Sequence, residues 1–88
     1  MKVEMYFMDS CPYCRRAKAL LNEKGVEPII YDVKADPKIW EESRERSGRR
    51  TVPQIFIDGY HVGGCDELVA LERHGKLDSY LKGELPHS

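Results

Sequence analysis

With 88 residues, the chain has room for one domain, whose core is thin but sufficient without metals or disulfides. A hydrophobic content of 41% argues against disorder, and a net charge of −1 supplies no global field that selects nucleic acid or a membrane surface. No apolar run approaches the roughly 18 residues of a membrane span, and the strand-like start leaves no room for a signal peptide, so a cytoplasmic protein is expected.

In chain order, Lys2 to Phe7 is rich in Val, Tyr and Phe and predicts a strand. Asp9-Ser10 breaks it, and a helix follows with Pro12 at its first position and Ala17, Leu20 and Leu21 at helical spacing. Gly25 caps that helix, and Pro28 to Val33 predicts a second strand. Asp36-Pro37 opens a second helix, anchored by Ile39 and Trp40 and stopped at Ser47-Gly48. Its mixture of Arg44, Arg46, Arg49 and Arg50 with Glu41, Glu42 and Glu45 predicts a solvated face. Gln54 to Ile57 is a third strand, Asp58-Gly59 a two-residue hairpin turn and Tyr60 to Val62 the returning fourth strand. After Gly63-Gly64, Cys65 to Arg73 forms a third helix with Asp66 and Glu67 in its first turn, and Leu77 to Leu81 a last short one. The result is an α/β protein with a four-stranded mixed sheet flanked by helices. The first two strands are parallel and the last two a hairpin. Residues 2–82 form the core of a single domain and residues 83–88 a tail, with Leu85 to Ser88 expected to fray.

The chemistry concentrates at Cys11-Pro12-Tyr13-Cys14, on the turn from the first strand into the first helix. Residues three apart lie on one helix face, so two cysteines at this spacing can close a disulfide with little backbone movement. Cys11 stands where unpaired backbone N–H groups and the helix dipole stabilise a negative sulfur. The local sequence thus places a nucleophilic thiolate at Cys11 and a less exposed, resolving thiol at Cys14. A zinc half-site is the competing reading. Zinc wants four ligands, and this chain has one Cys pair plus Cys65, His61 and His74, with Pro12 stiffening the loop. Thiol–disulfide chemistry without a metal is therefore expected, and a two-cysteine mechanism needs neither histidine. The odd number of cysteines, three, argues against a fully bridged secreted framework. Cys65 is open between a small buried hydrophobe and an oxidisable extra thiol. Gly64-Cys65-Asp66 opens the third helix, an ordinary cap that is equally an anion site.

Three separated segments, Cys11-Pro12-Tyr13-Cys14, Thr51-Val52-Pro53 and Gly63-Gly64-Cys65-Asp66, stand in the order and spacing of the dithiol glutaredoxins. The chain resembles that family over roughly residues 2 to 82, and within it the small bacterial glutaredoxin 3 type. The resemblance implies a thioredoxin-like fold and an enzyme that uses glutathione as co-substrate, without a cofactor. It implies a cis Val52–Pro53 bond that turns the Val52 backbone toward Cys11, where cysteinyl glutathione pairs as an added strand. Tyr13 would wall the ligand, with Thr51 and Pro53 beside it. The backbone N–H groups of Cys65 and Asp66, approached closely at Gly64, would take the γ-glutamyl carboxylate, the Asp66 side chain the amine, and Arg49 or Arg50 the glycine carboxylate. One position departs from the pattern: Met8 stands three residues before Cys11, where similar proteins carry lysine. Arg15 or Arg16 is the candidate replacement for its charge. The implied protein is a monomer acting on disulfide-bearing or glutathionylated proteins. Two other functions fit the same residues, a thioredoxin-reductase-fed electron donor and a dimeric [2Fe–2S] cluster carrier. Gly64-Cys65-Asp66 counts against the first, and Pro12 in a dithiol loop against the second.

Overall fold

The computed structural model describes residues 1–86. Strand β1 (Val3–Phe7) leads into helix α1 (Pro12–Glu23), followed by β2 (Ile29–Asp32), α2 (Pro37–Ser47), the hairpin β3 (Gln54–Ile57) and β4 (Tyr60–Gly63), then α3 (Cys65–Arg73) and α4 (Leu77–Leu81). The sheet runs β2-β1-β3-β4, with β1 parallel to β2 and antiparallel to β3, and β3 antiparallel to β4. This is the expected α/β arrangement, with small shifts at the strand ends. Lys2 lies just outside β1: its carbonyl still accepts the Asp58 N–H, but its own N–H goes to the Asp58 carboxylate instead of the backbone, each at 2.7 Å. The hairpin turn holds Asp58 at φ 48° and Gly59 at φ 83°, the two positive values that a two-residue type I′ connection needs.

β1 is one of the two inner strands, with every residue buried, so its side chains sort by simple alternation onto two packed faces. Val3, Met5 and Phe7 join Ile55 and Ile57 against Ala17 and Leu21 of α1, Leu68 of α3, and Leu77 and Leu81 of α4. Tyr6, with Phe56 and Val33, faces α2 through Ile39 and Trp40. Leu85, in the expected tail, is partly buried against the first of these clusters. His87 and Ser88 of the expected tail lie outside the described residues.

The face toward α2 departs most from the sequence expectation. The Arg/Glu face of α2 is solvated as expected, but Arg46, itself exposed as a residue, turns its guanidinium inward. Its Nη1 and Nη2 reach Glu4 Oε2 and Oε1 at 3.1 and 3.2 Å, and Nη1 also donates to the Tyr6 hydroxyl at 3.0 Å. Its guanidinium carbon lies 4.0 Å from the Phe56 ring centroid. Tyr31 donates its hydroxyl to Glu4 at 2.8 Å, and Tyr6 donates to Glu42. The physical reason is that an inner strand covered on both sides buries Glu4, and a buried carboxylate needs charged and hydrogen-bonding partners. The second helix supplies the charge through Arg46 and β2 the hydroxyl through Tyr31.

Candidate active site

Helix α1 begins at Pro12, and Cys11 takes the N-cap position in extended backbone conformation, with no side-chain cap hydrogen bond. Cys11 therefore stands at the helix end whose first-turn N–H groups lack intrahelical partners. The loop beneath is tied by the Cys11 N–H donating to the Met8 carbonyl at 3.0 Å. Cys11 is partly exposed and Cys14, one helical turn further in, is fully buried; both are free thiols. Burial pushes the Cys14 thiol up to about 12, against an opposing hydrogen bond from the Met8 backbone. The two sulfurs thus differ in access, the outer one able to meet a partner and the inner one withheld from solvent.

The Thr51-Val52-Pro53 loop closes the site from the sheet side. The Val52–Pro53 bond is cis, and the Cys11 thiol donates to the Val52 carbonyl at 3.8 Å. Across from it, α3 begins at Cys65 with Gly64 as N-cap. A Cβ on Gly64 would stand 3.3 Å from the Pro53 carbonyl, so glycine there is what lets the loop and the helix end approach. At Gly63, with φ 120°, a Cβ would meet the Glu67 side chain at 2.5 Å. The Glu67 carboxylate accepts the Gly64 N–H at 2.9 Å and pairs with Arg49, which together hold it below the usual carboxylate range. An open groove results, lined by Tyr13, Thr51, Val52, Pro53, Gly64, Cys65 and Asp66, with Arg49 and Glu67 completing it.

All seven of the residues expected to bind substrate thus meet in one groove that reaches Cys11 through Val52. Arg49, not Arg50, stands in it; Arg50 lines a neighbouring cavity with Arg44, Glu41 and Glu45. Glu67 was absent from the expected set. Its signal was the Gly64-x-x-Glu67 spacing of a capping box, legible as a cap but silent about the pairing with Arg49. Cys65 is 4% exposed and packs in the main core cluster, with burial pushing its thiol up and Arg16 pulling the other way. Met8 packs its side chain against Tyr6, Val33 and Phe56, on the α2 side of the sheet. Arg15 is tied by its guanidinium to the Asp9 carbonyl at 2.6 Å. Among the described residues, no three His, Cys, Asp or Glu side chains gather as a metal site, and no helix is long and apolar enough to cross a membrane.

The family model for glutaredoxins matches residues 3–62. The chain is 54% identical to glutaredoxin 3 of Escherichia coli K12 over 80 residues, covering 91% of this chain and 96% of that protein. The chain belongs to the glutaredoxin family. As such it is a thiol–disulfide oxidoreductase with the thioredoxin-like fold. This glutaredoxin also matches the solution structure of a glutaredoxin from Brucella melitensis with a TM-score of 0.87 at 54% identity, covering 99% of this chain and 95% of that one. A buckwheat glutaredoxin–glutathione complex matches with a TM-score of 0.85 at 31% identity, covering 92% of this chain and 76% of that one.

Proposed function

We propose that this glutaredoxin is a single-domain, monomeric, cytoplasmic enzyme that reduces glutathionylated proteins and protein disulfides, with glutathione as its co-substrate and no resident cofactor. The observation that carries the reading is the pairing of a buried Cys14 with a partly exposed Cys11 whose thiol reaches the Val52 carbonyl of the groove wall. The Cys11 thiolate attacks the glutathionyl sulfur of a mixed disulfide. A Cys11–glutathione disulfide forms and the protein thiolate leaves, taking a proton from solvent. A second glutathione thiolate then attacks the glutathionyl sulfur, releasing Cys11 and glutathione disulfide. With a protein disulfide, Cys11 forms a mixed disulfide with one protein sulfur. Cys14 loses its proton, attacks the Cys11 sulfur and expels that protein thiol, and two glutathiones reduce the Cys11–Cys14 disulfide.

The groove fits a γ-glutamyl-cysteinyl-glycine ligand group by group. The extended cysteinyl unit pairs with the Val52 backbone while Thr51 and Pro53 shape the strand it lies along, and Tyr13, 58% exposed, covers it. The γ-glutamyl carboxylate takes the N–H groups of Cys65 and Asp66 at the start of α3, close to Gly64, and the Asp66 carboxylate takes the amine. The glycine carboxylate meets Arg49, whose guanidinium then divides its hydrogen bonds between ligand and Glu67.

A coupled assay with glutathione, glutathione reductase and a glutathionylated peptide tests this. Cys11→Ser should abolish turnover. Cys14→Ser should keep deglutathionylation and lose most protein-disulfide reduction. Inactivity of Cys14→Ser toward the glutathionylated peptide would overturn the division of roles. Wild-type activity fed only by a thioredoxin reductase would overturn the choice of reductant.

A further inference from the structure

The segment that presents Val52 to the groove has little backbone support of its own. Outside helices and strands, the described backbone hydrogen bonds include none to or from residues 49–53. The Ser47 hydroxyl holds the Arg49 N–H and carbonyl at the segment's start, and what holds its Thr51 end is Gln54, the first residue of β3, which is fully buried. The Gln54 amide nitrogen donates to the Thr51 carbonyl at 3.0 Å and to the Thr51 hydroxyl at 3.2 Å. A carbonyl only accepts, so the amide nitrogen must face Thr51 and the amide oxygen must face the other way. That oxygen lies 2.8 Å from His61 Nε2, on β4 across the hairpin. With an acceptor opposite it, His61 Nε2 carries the proton. Burial and the nearby Arg49 disfavour its charged form, so the ring is a neutral donor. The ring is itself held by stacking on Phe56, with centroids 4.9 Å apart.

We propose that Gln54 and His61 are positioning residues for glutathione binding, an aligned chain from β4 through the buried amide to Thr51 that sets where the Val52 backbone stands. The inference rests on the reading that Val52 pairs with glutathione. His61 orients the amide; the amide holds both polar atoms of Thr51; Thr51 precedes the peptide unit whose carbonyl faces Cys11. Without His61 the amide can turn its oxygen toward the Thr51 carbonyl, which repels it. Without Gln54 both Thr51 contacts vanish.

The test measures affinity for S-methylglutathione, which binds without reacting, by NMR titration of the reduced protein. Gln54→Met is expected to weaken binding about five- to tenfold, the consequence of losing roughly one net hydrogen bond's worth of alignment. His61→Phe keeps the stacking on Phe56 and is expected to weaken binding about two- to threefold. Because both act through one chain, the double variant should bind no more weakly than Gln54→Met alone. Alkylation of Cys11 by iodoacetamide, which needs no groove, should not slow in any variant, because a displaced Val52 carbonyl only removes an acceptor that favours the neutral thiol. Wild-type affinity in Gln54→Met, additive losses in the double variant, or alkylation slowed in parallel with binding would each overturn the proposal. Should Gln54→Met fail to fold, His61→Phe decides alone: wild-type affinity there overturns it. Failure of the wild-type protein to bind S-methylglutathione would instead remove the groove reading, and this inference with it.

Discussion

Cys14 owes its chemistry to its place one turn inside α1. A thiol pushed up to about 12 by burial is protonated at neutral pH, and its thiolate fraction rises about tenfold per pH unit. Resolution of a protein mixed disulfide therefore waits on a proton that Cys14 releases reluctantly, whereas deglutathionylation never calls on it. Between about pH 6.5 and about pH 8.5, initial rates of protein-disulfide reduction should climb more steeply than rates on a glutathionylated peptide. Parallel profiles would show that Cys14 is not limiting. At this scale most of the site was legible in the sequence, because its signals are local. A Cys pair three apart, a Val-Pro before a strand and two glycines before a helix each announce a backbone event within four residues. What escaped notice spans elements. Arg49 meets Glu67 across 18 positions, and Gln54 meets His61 across a hairpin whose register fixes the pair only once folded. Cys65 was open between two readings; burial in the core sides with the small hydrophobe.

Among the elements, α2 is the one with a contact that the sequence did not show, the reach of Arg46 to Glu4 from an otherwise solvated face. Its ends were plain, since Asp36 accepts the Lys38 N–H at 2.9 Å and Gly48 takes φ 71°. Its face was not, because an Arg-Glu mixture has the same composition whether it meets water or a buried carboxylate. Glu4 and Arg46 stand 42 positions apart, and only the coverage of β1 on both sides forces them together. Arg46→Ala would leave the Glu4 carboxylate buried without its main partner and uncover Phe56. Loss of a hydrogen-bonded charge partner costs about 1.5–3 kcal/mol, read as a lower urea midpoint at unchanged slope. Arg44→Ala, on the same helix and exposed, does not touch Glu4 and should stay within about 0.5 kcal/mol. Equal midpoints for the two variants would return Arg46 to the solvated face that the sequence alone suggested. Trp40 packs in the same cluster, so its fluorescence reports whether α2 loosens before the rest unfolds.

For the whole molecule, these shifted groups bound stability from both sides of neutral pH. Arg46 holds the Glu4 carboxyl below its ordinary 4.5, and the Gly64 N–H and Arg49 do the same for Glu67. A depressed folded pKa gives stability that is present above 4.5 and lost as pH falls through the folded value, because the unfolded chain binds the proton more readily. On the other side, burial first and Glu42 second push Tyr6 from 10.0 up to about 12. Cys14 rises from 9.0 to about 12. A raised folded pKa gives stability that is complete below the unfolded value and drains away as pH rises toward the folded one. The reduced protein should therefore show a thermal midpoint that is flat from about pH 6.5 to about pH 8.5 and falls on both sides, first on the acid side as His61, whose charged form burial disfavours, protonates more readily in the unfolded chain than in the folded one, measured by far-ultraviolet circular dichroism. Glu4→Gln keeps the shape but cannot ionise, so it should lower the plateau and make the acid limb shallower. Tyr6→Phe should likewise soften the alkaline limb, and Cys14→Ser should remove the earlier part of it, which begins nearer 9.0. An acid limb unchanged in Glu4→Gln would mean that other carboxylates set it, and that the ion pair with Arg46 aligns α2 without supplying the pH dependence.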